Sequence, residues 1–310
     1  MTLAIILTVV AAVAYATTNH IDKYLISKVI KNSDYRSLVL ISSMVAGGMM
    51  TVIYFFVCGG AVSFDLQGIA ILFANSVLYV LALIFWYRAL RRDDTTIVII
   101  MEQLIPVFML LLSPLFLPGQ DITPLQLVGG GITTLAAIMV TYEPNRKKFD
   151  KHKFKTLALM VVASVFSALW FIIERFVNLS HGFNQTIFWS NLTLFAVGVI
   201  VLVAVPSYRK PFVKMVRTSG AKIVGLNVAN ELLESFSGVL TTFAGTLAPV
   251  AVVSFVLQGV QPFVVMAIGI MLTKFWPKIG KESVTRRVVM MRVAMMVLCL
   301  VGLVCIEFGG

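Results

Sequence analysis

Ten apolar runs, each close to the ~20 residues that a helix needs to cross a hydrocarbon core, occupy almost all of this 310-residue chain. They fall at about 2–26, 38–58, 67–88, 96–117, 124–142, 155–178, 186–205, 221–243, 249–272 and 287–307. None shows the two-residue alternation of a barrel strand, and an open sheet edge cannot be satisfied in lipid. The expected fold is therefore an all-α integral membrane protein with ten transmembrane helices. Apolar residues make up 59% of the chain and charged residues 13%, against roughly 45–50% and 25% in soluble domains. Too few polar residues remain to cover a water-facing surface, which excludes a soluble enzyme. The first run lacks the basic flank and the polar stretch after a cleavage site that mark a removable leader, so it reads as the first span.

The formal charge is +11, a value that in a soluble chain points to nucleic acid. Here the basic residues lie in short connections between spans, where they report orientation, and no nucleic-acid partner is expected. The first, third, fifth, seventh and ninth connections together hold 23 of the 25 Lys and Arg residues, with Arg292 counted in the ninth. Lys23 and Arg175 fall inside helices, and the even connections and both ends hold none. Cytoplasmic loops retain Lys and Arg, so the odd connections are expected in the cytoplasm and both termini outside it. The expected location is the plasma membrane, in a bacterium the inner membrane.

Sliding the sequence on itself by 156 residues places Pro106 on Pro262, Glu102 on Gln258, Tyr87 on Phe243 and Asn75 on Glu231. At an offset of 152, Asp22 and Lys23 meet Glu174 and Arg175. The chain thus reads as two five-helix repeats, 1–142 and 155–310, joined by a basic linker at 143–154. Because five is odd, the second copy is inverted relative to the first, the arrangement that places a substrate near the midplane of many secondary transporters. Cys58, Cys299 and Cys305 lie in or beside apolar runs, with no metal-ligand spacing, and read as packing residues.

The stretch from Glu102 through Pro106, then Leu115 to Gly119, then Gln126 to Gly129, resembles the proline-bearing fourth helix, short turn and glycine-rich fifth helix of the EamA-type repeats in the drug/metabolite transporter superfamily. Two positions depart from that pattern. The family often carries Glu directly before the helix-four proline, where this chain has Ile105 and Gln261, and Glu after the turn glycine, where it has Gln120. The family's carboxylates at those positions therefore do not carry over. The resemblance implies movement of small metabolites, amino acids, sugar conjugates or drugs without ATP, and the chain has no GxxxxGK[ST] phosphate loop.

An ionisable group within a span is costly unless it faces the interior and finds a partner or water. Glu231 and Glu234 lie 9 and 12 residues past Lys222, about 14 and 18 Å inward at the helical rise, and at this spacing share one face. Glu102 lies one turn before Pro106, whose missing N–H frees a backbone carbonyl. These three carboxylates are the leading substrate-binding candidates, for a cationic group or a coupling proton; the alternative is that each is a hydrogen-bonded packing residue. Gln103, Gln258, Gln261, Asn75 and Asn19 are candidates for neutral hydrogen bonds to a ligand, against a reading as interhelical glue. Tyr15, Tyr79 and Trp170 are candidates to stack on a ligand or its ammonium, against a reading as packing aromatics.

Asp22 with Lys23, near the cytoplasmic end of the first span, and Glu174 with Arg175, near the outer end of the sixth, are expected to gate or anchor their own sides, as are Pro106 and Pro262 at helix breaks. Snorkelling to the interface is the plainer reading of the charged pairs. Lys23 is a candidate partner for Glu102. The glycines Gly47, Gly48, Gly129, Gly130 and Gly131 read as points of close helix approach.

The expectation is a secondary transporter or exporter working by alternating access on a small cationic, zwitterionic or neutral metabolite or drug, in which proton coupling is one route. A midplane with three carboxylates and no basic residue disfavours anions. The alternative within transport is an amphiphilic or lipid-linked substrate. A membrane enzyme is disfavoured because His20, His152 and His181 are scattered and no HExxH or GxSxG is present, so no metal or cofactor is expected. A channel is disfavoured by the lack of a filter sequence or charge ring.

Overall fold

In a computed structural model the described residues are 2–29, 35–57, 62–63, 65–116, 122–141, 151–218, 220–248 and 250–308. Lys31, Cys58, Pro118, Gly119, Gln120 and the linker cations Arg146, Lys147 and Lys148 lie outside them. The described residues are mostly helical, with no strand among them: α1 (Thr2–Ser27), α2 (Arg36–Val57), α3 (Leu66–Arg92), α4 (Thr95–Phe116), α5 (Pro124–Met139), α6 (Lys151–His181), α7 (Phe183–Ala204), α8 (Pro206–Thr218), α9 (Gly220–Leu247), α10 (Val250–Phe275) and α11 (Arg286–Phe308). Eight of these are long and apolar enough to cross a membrane. Of the other expected spans, α5 is apolar but only 16 residues long, and α9, at 28 residues, carries Lys222, Asn227, Asn230, Glu231 and Glu234 along its length. Leu3, Ile6, Val52, Phe56, Leu127, Leu135 and Val203 are among the large apolar side chains left exposed, as expected of helices solvated by lipid.

Capping chemistry sets several boundaries. Asp65 accepts from the N–H groups of Gln67 and Gly68 and opens α3. Thr123 and Gln126 form a capping box around Pro124 at the start of α5, satisfying two otherwise orphaned donors. The helix-four proline acts as expected of a residue without an N–H: α4 runs Thr95–Glu102, turns at Gln103, whose N–H bonds to Ile100 O, and resumes at Leu104–Phe116. Pro262, its counterpart, sits inside one continuous helix.

Nearly all the main packing joins helices before the linker to helices after it. α1 lies on α9 and α10, α6 on α3 and α4, α2 on α7, and α5 on α11. Two of these seams are closed by glycine. A Cβ on Gly129 would lie 2.7 Å from Cys305 Cβ, and one on Gly302 would lie 2.7 Å from Gly129 O. Across the other seam, a Cβ on Gly47 would lie 2.8 Å from Asn191 O, and one on Gly198 2.8 Å from Met44. Gly129 and Gly47 thus mark close helix approach as expected, whereas a Cβ on Gly131 would meet nothing within 4 Å.

The largest apolar core gathers Leu25, Leu38, Tyr87, Leu90, Ile97, Ile100, Val140, Met160 and Met296, at the end of the bundle to which the odd connections return. Two features there differ from expectation. The seventh connection is the helix α8, which follows a bend at the extended residue Val205; its Tyr208, Phe212 and Met215 pack on the core, so apolar periodicity wins over its prolines and four basic residues. Arg292, counted with the ninth connection, is inside α11 and only 2% exposed. It ion-pairs with Asp94 and, at 2.9 Å, with Glu282.

Candidate functional site

A polar stripe on α9 organises the interior. Asn227, Asn230, Glu231 and Glu234 recur at i, i+3, i+4 and i+7, the spacing of one helix face. Asn227, Asn230 and Glu231 are buried, and Glu234 is half-buried. Ser42 of α2 donates its hydroxyl to Glu231 Oε1 at 2.6 Å and lies 3.0 Å from the Tyr87 hydroxyl of α3. Asn230 Nδ2 donates to Asp22 Oδ1 at 2.9 Å, drawing α1 against the same stripe. Asp22, Glu231 and Glu234 lie within electrostatic reach of one another, and Glu102 within reach of Glu234.

Asp22, expected at a gate, is therefore 2% exposed and joined to the interior carboxylates. Lys23, its sequence neighbour, points the other way: its ammonium donates to Leu90 O and Asp93 O at 2.5 and 2.6 Å, capping the carbonyl end of α3. The expected Lys23–Glu102 pairing is not formed. Glu102 is half-buried and its Oε2 has no hydrogen-bond partner among the described residues. Among those residues no Lys or Arg pairs with Asp22, Glu102, Glu231 or Glu234.

The neutral candidates divide. Gln103, at the break in α4, donates Nε2–H to Gln258 Oε1 of α10 at 3.2 Å, and its own Oε1 is left unpaired. Asn75 is 1% exposed with neither side-chain atom bonded among the described residues, where Asn19 Nδ2 is likewise unpaired. Gln261 is 9% exposed, beside Pro262. Tyr79 and Trp170 pack ring on ring across α3 and α6, 4.9 Å between centroids. Tyr15 turns its hydroxyl towards Gly238 of α9, where an added Cβ would lie 3.3 Å away. Glu174 is half-buried and Arg175 exposed, both towards the far end of α6.

The two ends of the bundle are tied differently. At the basic end, Glu282 accepts from the Thr96 hydroxyl at 2.6 Å and from Arg292, and Asp94 accepts from Arg292 and from the Ser283 N–H. Asp93, between α3 and α4, has a carboxyl raised above its ordinary range by burial. At the other end, His181 Nε2 meets Asp65 Oδ2 at 2.8 Å, and the Trp189 indole donates to Ser63 O. The Gly68 N–H, helped by Gln67 and His181, holds Asp65 below the usual carboxylate range. No group of His, Cys, Asp and Glu among the described residues has the makings of a metal site.

Sequence reasoning missed Ser42, Asn227 and Asn230. The two asparagines were legible, because they extend the Glu231–Glu234 pair into a stripe, but the partner that α2 supplies to Glu231 has no local signal.

No curated protein matches the sequence. A solved crystal structure of a protein resembles the fold over 98% of this chain and 93% of its own, with a TM-score of 0.50 and 12% sequence identity, a likeness of fold alone. Residues 2–142, the stretch from α1 to α5, are similar to the EamA-like transporter family, whose model they match, and with eight described helices long and apolar enough to cross a membrane the protein is a multi-pass membrane protein.

Proposed function

We propose that the protein is a secondary transporter of a small cationic, zwitterionic or neutral molecule, binding it at the stripe of α9 and working by alternating access. The observation that carries this reading is the convergence of Asp22, Glu102, Glu231 and Glu234 on one interior region with no Lys or Arg among the described residues paired to them. Carboxylates away from water need a cation or a proton, and the unpaired atoms of Asn19, Asn75, Glu102 and Gln103 offer a ligand further hydrogen bonds. A substrate amine and a coupling proton would compete for the same oxygens, which is the requirement of exchange.

All ten long helices span in this reading, α5 and α9 included, and the two halves are inverted copies. The packing supports it: exchanging the first and second five spans turns α1 on α9 and α10 into α6 on α3 and α4, and maps the α2–α7 and α5–α11 seams onto themselves. With the odd connections in the cytoplasm, Lys23, Arg292, Asp94 and Glu282 close the cytoplasmic side, and Asp65 with His181 bridges the outer one. Glu174 and Arg175 anchor the outer end of α6, the proline break at Pro106 lets α4 move, and Pro262, which leaves α10 one backbone hydrogen bond short without interrupting it, is the matching point of give in α10.

The test is a thermal-shift screen of purified protein with amino acids, polyamines, quaternary amines, sugars, nucleotides and amphiphiles at pH 6 and pH 8. A ligand at 100 times its dissociation constant adds about 2.7 kcal/mol to the folded state. Stabilisation by a cation or zwitterion, lost in Glu231→Gln or Glu234→Gln, is the expected result. Stabilisation by anions alone, with both variants indifferent, overturns the site.

A further inference from the structure

The helix α8 carries a second charged surface, of opposite sign to the interior and unused by it. Its Tyr208, Phe212 and Met215 face the core, while Arg209, Lys210, Lys214 and Arg217 are exposed on the other side. No Asp or Glu among the described residues pairs with any of these four cations. Between them lies a concavity of about 470 Å³ lined by Arg209, Lys210, Val213, Lys214, Arg217 and Thr218. Val213 and Val216 stand exposed beside the charges, at 36% and 45%. The helix begins directly after the bend that ends the membrane-crossing α7, so it lies where the bilayer's headgroups begin.

A helix with a basic face, exposed valines among the cations and a place at the bilayer edge meets phosphate groups with acyl chains attached. We propose that α8 binds the headgroups of anionic phospholipids, the phosphates between Arg209, Lys210, Lys214 and Arg217 and the chains along Val213 and Val216. The site also has a route to the interior. The Arg36 guanidinium, at the start of α2, lies 5.6 Å from the Tyr208 ring and donates to Ser207 O at 3.3 Å. The same α2 carries Ser42, the donor to Glu231. Lipid on α8 therefore steadies α2 and, through it, the Glu231 partner; this last step alone rests on the transport reading above.

The experiment compares the protein in nanodiscs of phosphatidylcholine alone and of phosphatidylcholine with phosphatidylglycerol, reading thermal midpoint and, by native mass spectrometry, the lipids retained. Phosphatidylglycerol is expected to raise the midpoint of the wild type, the gain shrinking as salt rises. The quadruple variant Arg209→Gln/Lys210→Gln/Lys214→Gln/Arg217→Gln should retain phosphatidylglycerol more than about tenfold less well. The half variants Arg209→Gln/Lys210→Gln and Lys214→Gln/Arg217→Gln should each lose part of the gain, and provide the test should the quadruple variant not fold. Arg91→Gln/Arg92→Gln, basic residues at the end of α3, should leave it intact. The proposal is overturned if the α8 variants keep the full gain, if Arg91→Gln/Arg92→Gln removes as much, or if inorganic phosphate in phosphatidylcholine discs reproduces it. None of these readings depends on which substrate is transported.

Discussion

Arg292 shows how strongly one buried side chain binds parts of the chain far apart in sequence. Its buried side chain holds the carboxylates of Asp94, whose side chain is 25% exposed, and Glu282, whose side chain is 8% exposed, in ion pairs. Removing one partner of such a cluster leaves charge buried without compensation, so Arg292→Met is expected to cost about 3–5 kcal/mol in unfolding measurements, well beyond the effect of Arg286→Gln at the exposed start of the same helix. Asp65 and Asp93 give opposite pH signatures. Asp65 has its native carboxyl depressed, so its stabilisation is present above the ordinary carboxylate range and is lost as pH falls through the depressed value. The melting curves of wild type and Asp65→Asn should therefore differ at neutral pH and converge in acid. Asp93 is raised by burial, so its ionisation works against the folded state once pH exceeds the ordinary range. Asp93→Asn, which keeps the Oδ1 acceptor used by the Asp94 N–H, should raise the melting temperature at pH 8 and lose that advantage towards pH 3.

At the scale of elements, the glycine seams predict a sharp asymmetry among neighbouring glycines. Gly302→Val has to push its side chain into Gly129 O and is expected to cost about 1–3 kcal/mol or to prevent assembly, whereas Gly131→Ala, open on all sides within 4 Å, should be neutral in the same thermal assay. The long spans were legible from the sequence because lipid demands a fixed length of apolar helix, and the break in α4 followed from one missing N–H at Pro106. The helix α8 was not, because its basic residues and prolines read as a connection while Tyr208, Phe212 and Met215, three and four residues apart, carried the weaker signal of an apolar face. The interior carboxylates Glu231 and Glu234 were legible by depth alone. Asp22 was misplaced because depth along α1 says nothing about which side of the helix meets α9, and the Asn230 contact decides that.

At the scale of the whole molecule, the strongest packing runs across the linker and not within either side of it: α1 with α9 and α10, α6 with α3 and α4, and the seams α2–α7 and α5–α11. The two halves therefore interlock like the members of a dimer that happen to share one polypeptide. A chain cut between Glu143 and Asp150 should still assemble when both fragments are made together, and should regain the melting transition of the intact protein. Either fragment alone would present α1 or α6 to lipid stripped of its main partners, and should be degraded or aggregate. The covalent linker then acts as a device of stoichiometry, guaranteeing one copy of each half per molecule and excluding pairings of like with like.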